Sequence, residues 1–377
     1  MTGDRTRTDR TTTVLSRRGL LALATAGLAG LAGCGYRPGG GDVRWEIETG
    51  TGPYSPDDLL VVGDRLVTVN RSRRGFDFEA ETWGESAEIA AYDAATGRER
   101  WAASAPPCGR PAVGDDSLYL GHEDGGVTAL DADGSTRWQG SVEGFPRRLA
   151  AAGDRLYALT DADDLVALAA TESPAASAGD RLWRASVAAE TTSALAATAD
   201  GVVVRDAEAA GTTVRSIRRD GEGRWSTEVP GAPGDVRPVV ADGTVYVPAG
   251  DRLTALALGD GTERWSREAG RLRGSPAVGD GAVYYVADRT LSARDAEDGS
   301  VLWQFDPSDG RGFSAPPAVA GERVYAAGRD TLYALAAADG SVRWAVEADG
   351  ADAAPLVVGR TVAVPVEDGV VRGHRRA

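Results

Sequence analysis

Side chains able to do acid–base, nucleophilic or metal chemistry are scarce in this chain. In 377 residues there are two histidines (His122, His374), two cysteines (Cys34, Cys108) and one asparagine, Asn70. So few, and so far apart, they are too few for a Cys- or His-based metal site or a disulfide framework. His122 lies in the turn-like run Gly121-His-Glu-Asp-Gly-Gly126 and His374 in an Arg-rich C-terminus, so both are expected as solvated residues rather than catalytic bases. Arginine, by contrast, is abundant. All 41 basic residues are Arg, set against 56 carboxylates for a formal net charge of −15. So acidic a surface repels phosphate backbones, which argues against nucleic-acid binding. Guanidinium forks gathered in one place could still grip a carboxylate or another small anion. Which arginines gather depends on the elements that carry them.

The first 33 residues have the order of an export signal. Arg5, Arg7, Arg10, Arg17 and Arg18 precede a 15-residue run, Gly19 to Gly33, of Leu, Ala, Gly and one Thr. That run is short for a membrane span. Ser16-Arg17-Arg18-Gly19-Leu20-Leu21 resembles a twin-arginine motif, and Leu31-Ala32-Gly33-Cys34 resembles a lipobox. The expectation is that residues 1–33 are removed, that Cys34 is lipidated, and that residues 34–42 form a Gly-rich tether. The protein would then sit on the cell-surface side of the cytoplasmic membrane. Losing five Arg and two Asp with the signal leaves a mature charge of −18. Absence of Lys together with dense carboxylates resembles exported proteins of salt-loving archaea, whose acidic surfaces stay soluble where salt screens ordinary repulsion.

Everything after the tether repeats. Trp45, Trp101, Trp138, Trp183, Trp225, Trp265, Trp303 and Trp344 recur at spacings of 56, 37, 45, 42, 40, 38 and 41 residues. The phrases between them match: Pro111-Ala-Val-Gly-Asp-Asp-Ser-Leu-Tyr119 beside Pro276-Ala-Val-Gly-Asp-Gly-Ala-Val-Tyr284. The sixth unit reads as four short strands, Ser275–Val278, Ala282–Ala287, Thr290–Ala296 and Ser300–Phe305, with Gly and Asp in the turns. A four-stranded unit of about forty residues is the signature of a β-propeller blade. Seven complete units end at Trp101 to Trp344, and an eighth, Pro355 to Arg372, has only three strands. Val43-Arg-Trp45-Glu-Ile47 carries the missing outer-strand pattern. The reading is therefore all-β: an eight-bladed propeller over residues 43–372, closed by the strand near Trp45, with 373–377 as a C-terminal tail.

Ala91-Tyr-Asp-Ala-Ala-Thr-Gly97-Arg-Glu-Arg-Trp101 resembles the repeat of quinoprotein-type, or PQQ-like, propellers. The resemblance spans about residues 43–372. It implies that each Trp packs between neighbouring blades while Asp and Gly set the preceding turn. The family holds alcohol and glucose dehydrogenases that bind pyrroloquinoline quinone and Ca²⁺, and a lipoprotein of the bacterial outer-membrane assembly machine that binds neither. The dehydrogenases use carboxylate and Asn ligands, an Asp base and, in many, adjacent cysteines. Here no two cysteines adjoin, Asn70 stands alone, and most connections are only a few residues long. The expectation is a scaffold without catalysis or cofactor. A PQQ/Ca-dependent oxidoreductase, or another sugar-directed enzyme using the central funnel, is the alternative.

In a propeller the innermost strands line the channel, so their starts surround its mouth. Aligned on the Val-x-Gly-Asp segment, the units place Asp57 and Asp58, Cys108 and Arg110, Arg147 and Arg148, Asp235 and Arg237, Arg273, and Asp352 around one rim. Arg110, Arg147, Arg148, Arg237 and Arg273 are the candidate anion-binding residues. Pairing with Asp57, Asp58, Asp235 and Asp352 would instead make the ring self-neutralised scaffolding. An insertion in the first unit, Arg71 to Glu85, is read as a loop on the same face, and its Arg71, Arg73, Arg74, Phe76, Phe78 and Trp83 suit a partner-contact surface. A second insertion, Ala170–Asp180, sits on the opposite face. A protein partner or a small anion is expected, bound by a monomer.

Overall fold

The computed structural model describes residues 40–49, 56–77, 82–187, 194–208, 211–232, 236–307, 310–351 and 353–376, with backbone alone at 72–77, 82–85 and 207–208. Cys34, Phe78, Asp235, Asp352 and the signal-like residues 1–33 lie outside the described residues.

Eight four-stranded antiparallel sheets make up the fold. Strands are named A to D from the channel outward. Blade 1 is Asp58–Val62, Arg65–Asp77, Thr82–Asp93 and Glu99–Ala105. Blade 6 is Ala277–Gly279, Ala282–Ala287, Thr290–Asp295 and Val301–Phe305, within two residues of the sequence reading at every boundary. Its B strand, Ala-Val-Tyr-Tyr-Val-Ala, is buried along its whole length because blades flank it on both faces. Asp280 at φ 51 and Gly281 at φ 74 close the A–B hairpin, the backbone that a two-residue turn of this hand requires.

Each A strand packs against the next around the ring, and Leu356–Val358 of blade 8 packs against Asp58–Val62 of blade 1, so the ring is closed. Tryptophans tie the blades together. Trp45 Nε1 donates to the carbonyl of Ala94 at 3.0 Å, Trp101 to Ala132 at 2.8 Å, and Trp303 to Ala337 at 2.8 Å. In each case the acceptor is the residue that follows strand C of the next blade, as it also is for Trp138, Trp183, Trp225 and Trp265.

Blade 8 comprises Leu356–Val358, Thr361–Val366, Val370–Arg375 and, as its outer strand, Val43–Glu48. Trp45 pairs with Gly373 and Ile47 with Val371, with a bulge between Val43 and Trp45. Two boundaries move as a result. Residues 373–375 belong to a strand rather than to a tail, and Gly40 and Gly41 are buried parts of the fold rather than tether. His374, expected to be solvated, is fully buried, and its Nδ1 meets the carbonyl of Gly41 at 2.8 Å. Burial holds its pKa below the usual histidine range.

The first insertion is not a loop. Strands B and C of blade 1 run on as a two-stranded hairpin in which Arg73 pairs with Ser86, Arg74 with Glu85, Phe76 with Trp83 and Asp77 with Thr82. Alternating Arg, aromatic and Thr residues can continue a ladder, and nothing in the run forbids it.

Candidate functional site

Blade 1 supplies the centre of the channel mouth. Asp58 begins its innermost strand, Asp57 directly precedes it, and Arg71 closes over both from strand B. The Arg71 backbone N–H donates to Asp57 Oδ2 at 2.8 Å, and its guanidinium lies 3.1 Å from Asp58 Oδ2 and 3.9 Å from Asp57 Oδ1. The pairing follows from the ladder, because Asp58 faces Val69 across the A–B hairpin and the next residues of strand B pass over the strand start. Arg71, read from sequence as part of a partner-contact loop, is thus a mouth residue.

Burial pushes the Asp58 carboxyl up to about 6, against the opposing pull of Arg71, Arg110 and Arg237, while Asp57 adds to the rise. Arg110 from blade 2 and Arg237 from blade 5 thus lie within electrostatic reach of a carboxylate of blade 1. Arg237 also anchors the rim through its backbone, whose carbonyl accepts from Ser275 Oγ at 3.2 Å.

The remaining candidates diverge. Arg147 turns to its own blade, donating to the Thr160 carbonyl at 3.2 Å and to Asp163 Oδ1 at 3.4 Å. Its neutralising carboxylate is a residue of the B–C turn, not one of the rim aspartates that the alignment singled out. Arg148 donates to the Arg147 carbonyl at 3.2 Å. Arg273 is exposed, bonded through its backbone N–H to Val286 at 2.9 Å, and its side chain makes no hydrogen bond or ion pair among the described residues.

Cys108 sits at the mouth but is chemically quiet. It bridges to His122, its N–H donates to Arg71 O at 3.1 Å, and burial pushes its thiol up to about 12. His122, also expected to be solvated, is buried, with Nε2 2.9 Å from Thr128 Oγ1 and Nδ1 3.3 Å from the Pro106 carbonyl. Both side chains are buried.

A calcium-held quinone fits these residues poorly. Among the described residues no three His, Cys, Asp or Glu side chains gather as a metal site. The single Asn, Asn70, lines a groove beside Thr49 of blade 8 and Glu88 of blade 1. The mouth thus sets the Arg71 guanidinium against a carboxylate that also feels the charges of Arg110 and Arg237.

The family profile described as "Outer membrane protein assembly factor BamB" matches residues 34–172, 85–234, 133–287, 210–311 and 287–375. No curated protein matches the chain. Among solved structures, BamB from Moraxella catarrhalis superposes with a TM-score of 0.65 at 17% identity, over 89% of this chain and 99% of that one. The quinohemoprotein alcohol dehydrogenase ADHIIG from Pseudomonas putida HK5 gives 0.60 at 12% identity, over 89% and 76%. The quinohemoprotein alcohol dehydrogenase from Comamonas testosteroni gives 0.60 at 14%, again over 89% and 76%. At such identities these structures share the fold alone. The profile, by contrast, runs through every blade that carries the Trp repeat, and with it the chain belongs to the BamB family of PQQ-like propellers.

Proposed function

We propose that this propeller is a non-enzymatic scaffold, lipid-anchored outside the cytoplasm through Cys34, that binds an anionic ligand or an acidic segment of a protein partner at its channel mouth. One observation carries the reading. Arg71, Arg110 and Arg237, from three blades, bear on Asp58 in a chain whose net charge is −15, which supports reading the mouth as a place where an anion meets guanidinium groups on an acidic molecule. The blade-1 hairpin, Arg73 to Ser86, extends from the same strand that delivers Arg71 and supplies a second contact for a protein partner. The matching family profile, described as an outer membrane protein assembly factor, supports assembly with other proteins.

Calorimetry with citrate and with a Glu-rich peptide tests the site. Arg110→Ala combined with Arg237→Ala should weaken binding by about tenfold or more, since two charge-assisted contacts are lost. Unchanged affinity would reduce the cluster to scaffolding. Absorbance and mass spectra after incubation with pyrroloquinoline quinone and Ca²⁺ test the oxidoreductase alternative, and stoichiometric uptake of quinone would overturn the scaffold reading.

A further inference from the structure

The residue two places before each blade tryptophan begins the outer strand and faces solvent. In blades 1 to 5 it is Glu99, Thr136, Arg181, Gly223 and Glu263, none of them apolar. In blades 6, 7 and 8 it is Val301, Val342 and Val43, exposed by 50%, 39% and 53%. Leu302, exposed by 49%, adds to the same edge in blade 6. These four are the exposed large hydrophobic residues among the described residues, and they fall on three consecutive blades at the end where the C–D turns lie. Scattered apolar residues need no explanation, but this confinement to one sector does.

Charge is distributed unusually in the same sector. A cavity of about 900 Å³ opens there between the A–B turns of blades 6, 7 and 8, with Leu302 on its wall. Arg323, Arg343, Arg360 and Arg376 line it against only Asp280 and Glu322, whereas in the whole chain carboxylates outnumber arginines 56 to 41. None of the four forms an ion pair with a carboxylate among the described residues. The Arg376 guanidinium donates to the carbonyls of Ala320, at 2.7 Å, and Gly359, at 3.3 Å. Leu302 lies on this arginine-lined wall, whereas Val43, Val301 and Val342 stand outside it, beside the exposed Asp42, Asp298 and Asp339 of the C–D turns. Guanidinium groups with aliphatic stems beside an apolar side chain are the composition of a membrane-interface surface.

The chain also arrives here. Gly41 N–H donates to Arg375 O at 2.8 Å, which fixes the start of the outer strand of blade 8 at the C–D end of this sector. Cys34 lies six residues before Gly40, a reach of at most about 20 Å when fully extended. With a lipid on Cys34, the sector of blades 6 to 8 is the part of the propeller held nearest the bilayer, and the channel mouth, on the opposite face, points away from it.

We propose that the edge formed by Val43, Val301, Leu302 and Val342, with the arginines around the neighbouring cavity, docks on a bilayer surface carrying anionic headgroups. The orientation, though not the composition of the surface, rests on the lipid-anchor reading.

Hydrogen–deuterium exchange of the full chain, with and without phosphatidylglycerol vesicles, reads the contact by position. Exchange should slow several-fold around residues 299–303, 340–344 and 41–44 and stay unchanged around 97–101 and 261–265. The effect should fade on phosphatidylcholine vesicles. Val301→Ser, Leu302→Ser and Val342→Ser together should abolish the protection, while Glu99→Ser with Glu263→Ser should leave it intact. Uniform protection around the ring, none at all, or protection only with native membranes that retain their proteins would overturn the proposal, the last by identifying a protein as the occupant. A Cys34→Ser chain run in parallel separates the two ideas. Wild type held on membranes by its lipid yet unprotected at blades 6 to 8 sinks the docking surface alone. Equal attachment and equal protection of wild type and Cys34→Ser sinks the anchor alone.

Discussion

Gly41 donates its backbone N–H to the carbonyl of Arg375 at 2.8 Å, and Arg375 N–H donates in turn to Asp42 at 2.8 Å. This is the hydrogen-bond pattern of the C–D turn in blade 1, where Gly97 N–H reaches Asp93 and Asp93 N–H reaches Arg98, each at 2.8 Å. In blade 8 the turn is built from two chain ends that no covalent link joins. The position keeps its demands: Gly41 sits at φ +87, and a Cβ there would lie 2.6 Å from Val346 Cγ1 and 3.1 Å from the Trp344 ring.

Replacing that glycine should therefore loosen the closure. Gly41→Val is expected to cost about 1–3 kcal/mol through backbone strain and the clash with blade 7, seen as a lower denaturation midpoint and faster exchange in residues 43–48 and 370–375. Gly211→Ala, where an added methyl meets nothing within 4 Å, should change the midpoint little.

Trp303 and Trp344 form a matched pair. Both are buried, and each tilts against a tyrosine at 5.9 Å, Tyr284 and Tyr325 respectively. Trp303 Nε1 donates to Ala337 O at 2.8 Å, whereas Trp344 Nε1 is buried with no acceptor. Trp303→Phe removes a bond and leaves the Ala337 carbonyl only the longer one from the Tyr284 hydroxyl at 3.4 Å, so it should destabilise by about 1–3 kcal/mol more than Trp344→Phe. Equal losses in urea unfolding would show that stacking alone holds the blades.

Asp58 makes the mouth responsive to pH. Its carboxyl is raised to about 6 from 3.8, so the folded state holds that proton more tightly than the unfolded chain does. The associated stability is fully present below about pH 4 and is lost as pH rises through about 6. Protonation also removes the negative charge nearest Arg71, so anion affinity should rise several-fold between pH 7 and pH 5. Asp58→Asn should flatten both profiles, measured by melting temperature and by calorimetry with sulfate, whose charge is constant across this range.

Cys108 should resist thiol reagents, because its thiol is buried and its pKa is pushed up to about 12. Labelling of Cys108 by iodoacetamide at pH 8 is expected only in denaturant. Prompt reaction in the native protein would mean that the mouth opens far more readily than its packing indicates.

Shortening the blade-1 hairpin to a two-residue turn between Asn70 plus Arg71 and Ser86 should leave the melting temperature within about 2 °C, since the segment is an insertion into a four-stranded pattern that the other blades complete without it. Affinity capture from membranes with the shortened chain should lose a companion that the full chain retains. Identical captures would remove the hairpin from the partner surface.

Blade number was legible in the residues themselves. A tryptophan every forty residues, each preceded by a Gly-containing turn, is a local pattern, and a blade is assembled from neighbours in sequence. Closure was legible too, because a three-stranded last unit and an orphan strand around Trp45 leave one economical pairing. Everything that depended on residues distant in sequence came from the tertiary structure. His374 looked like a frayed end until Gly41 covered it, and His122 looked like a turn residue until Cys108 bridged to it. Arg71 looked like part of a contact loop until the hairpin register carried it over Asp57 and Asp58. Alignment could say that Arg147 and Arg237 both start innermost strands. It could not say that one folds back on Asp163 while the other adds its charge to Asp58 across the mouth, because the curvature of the closed ring sets which carboxylate each guanidinium can reach.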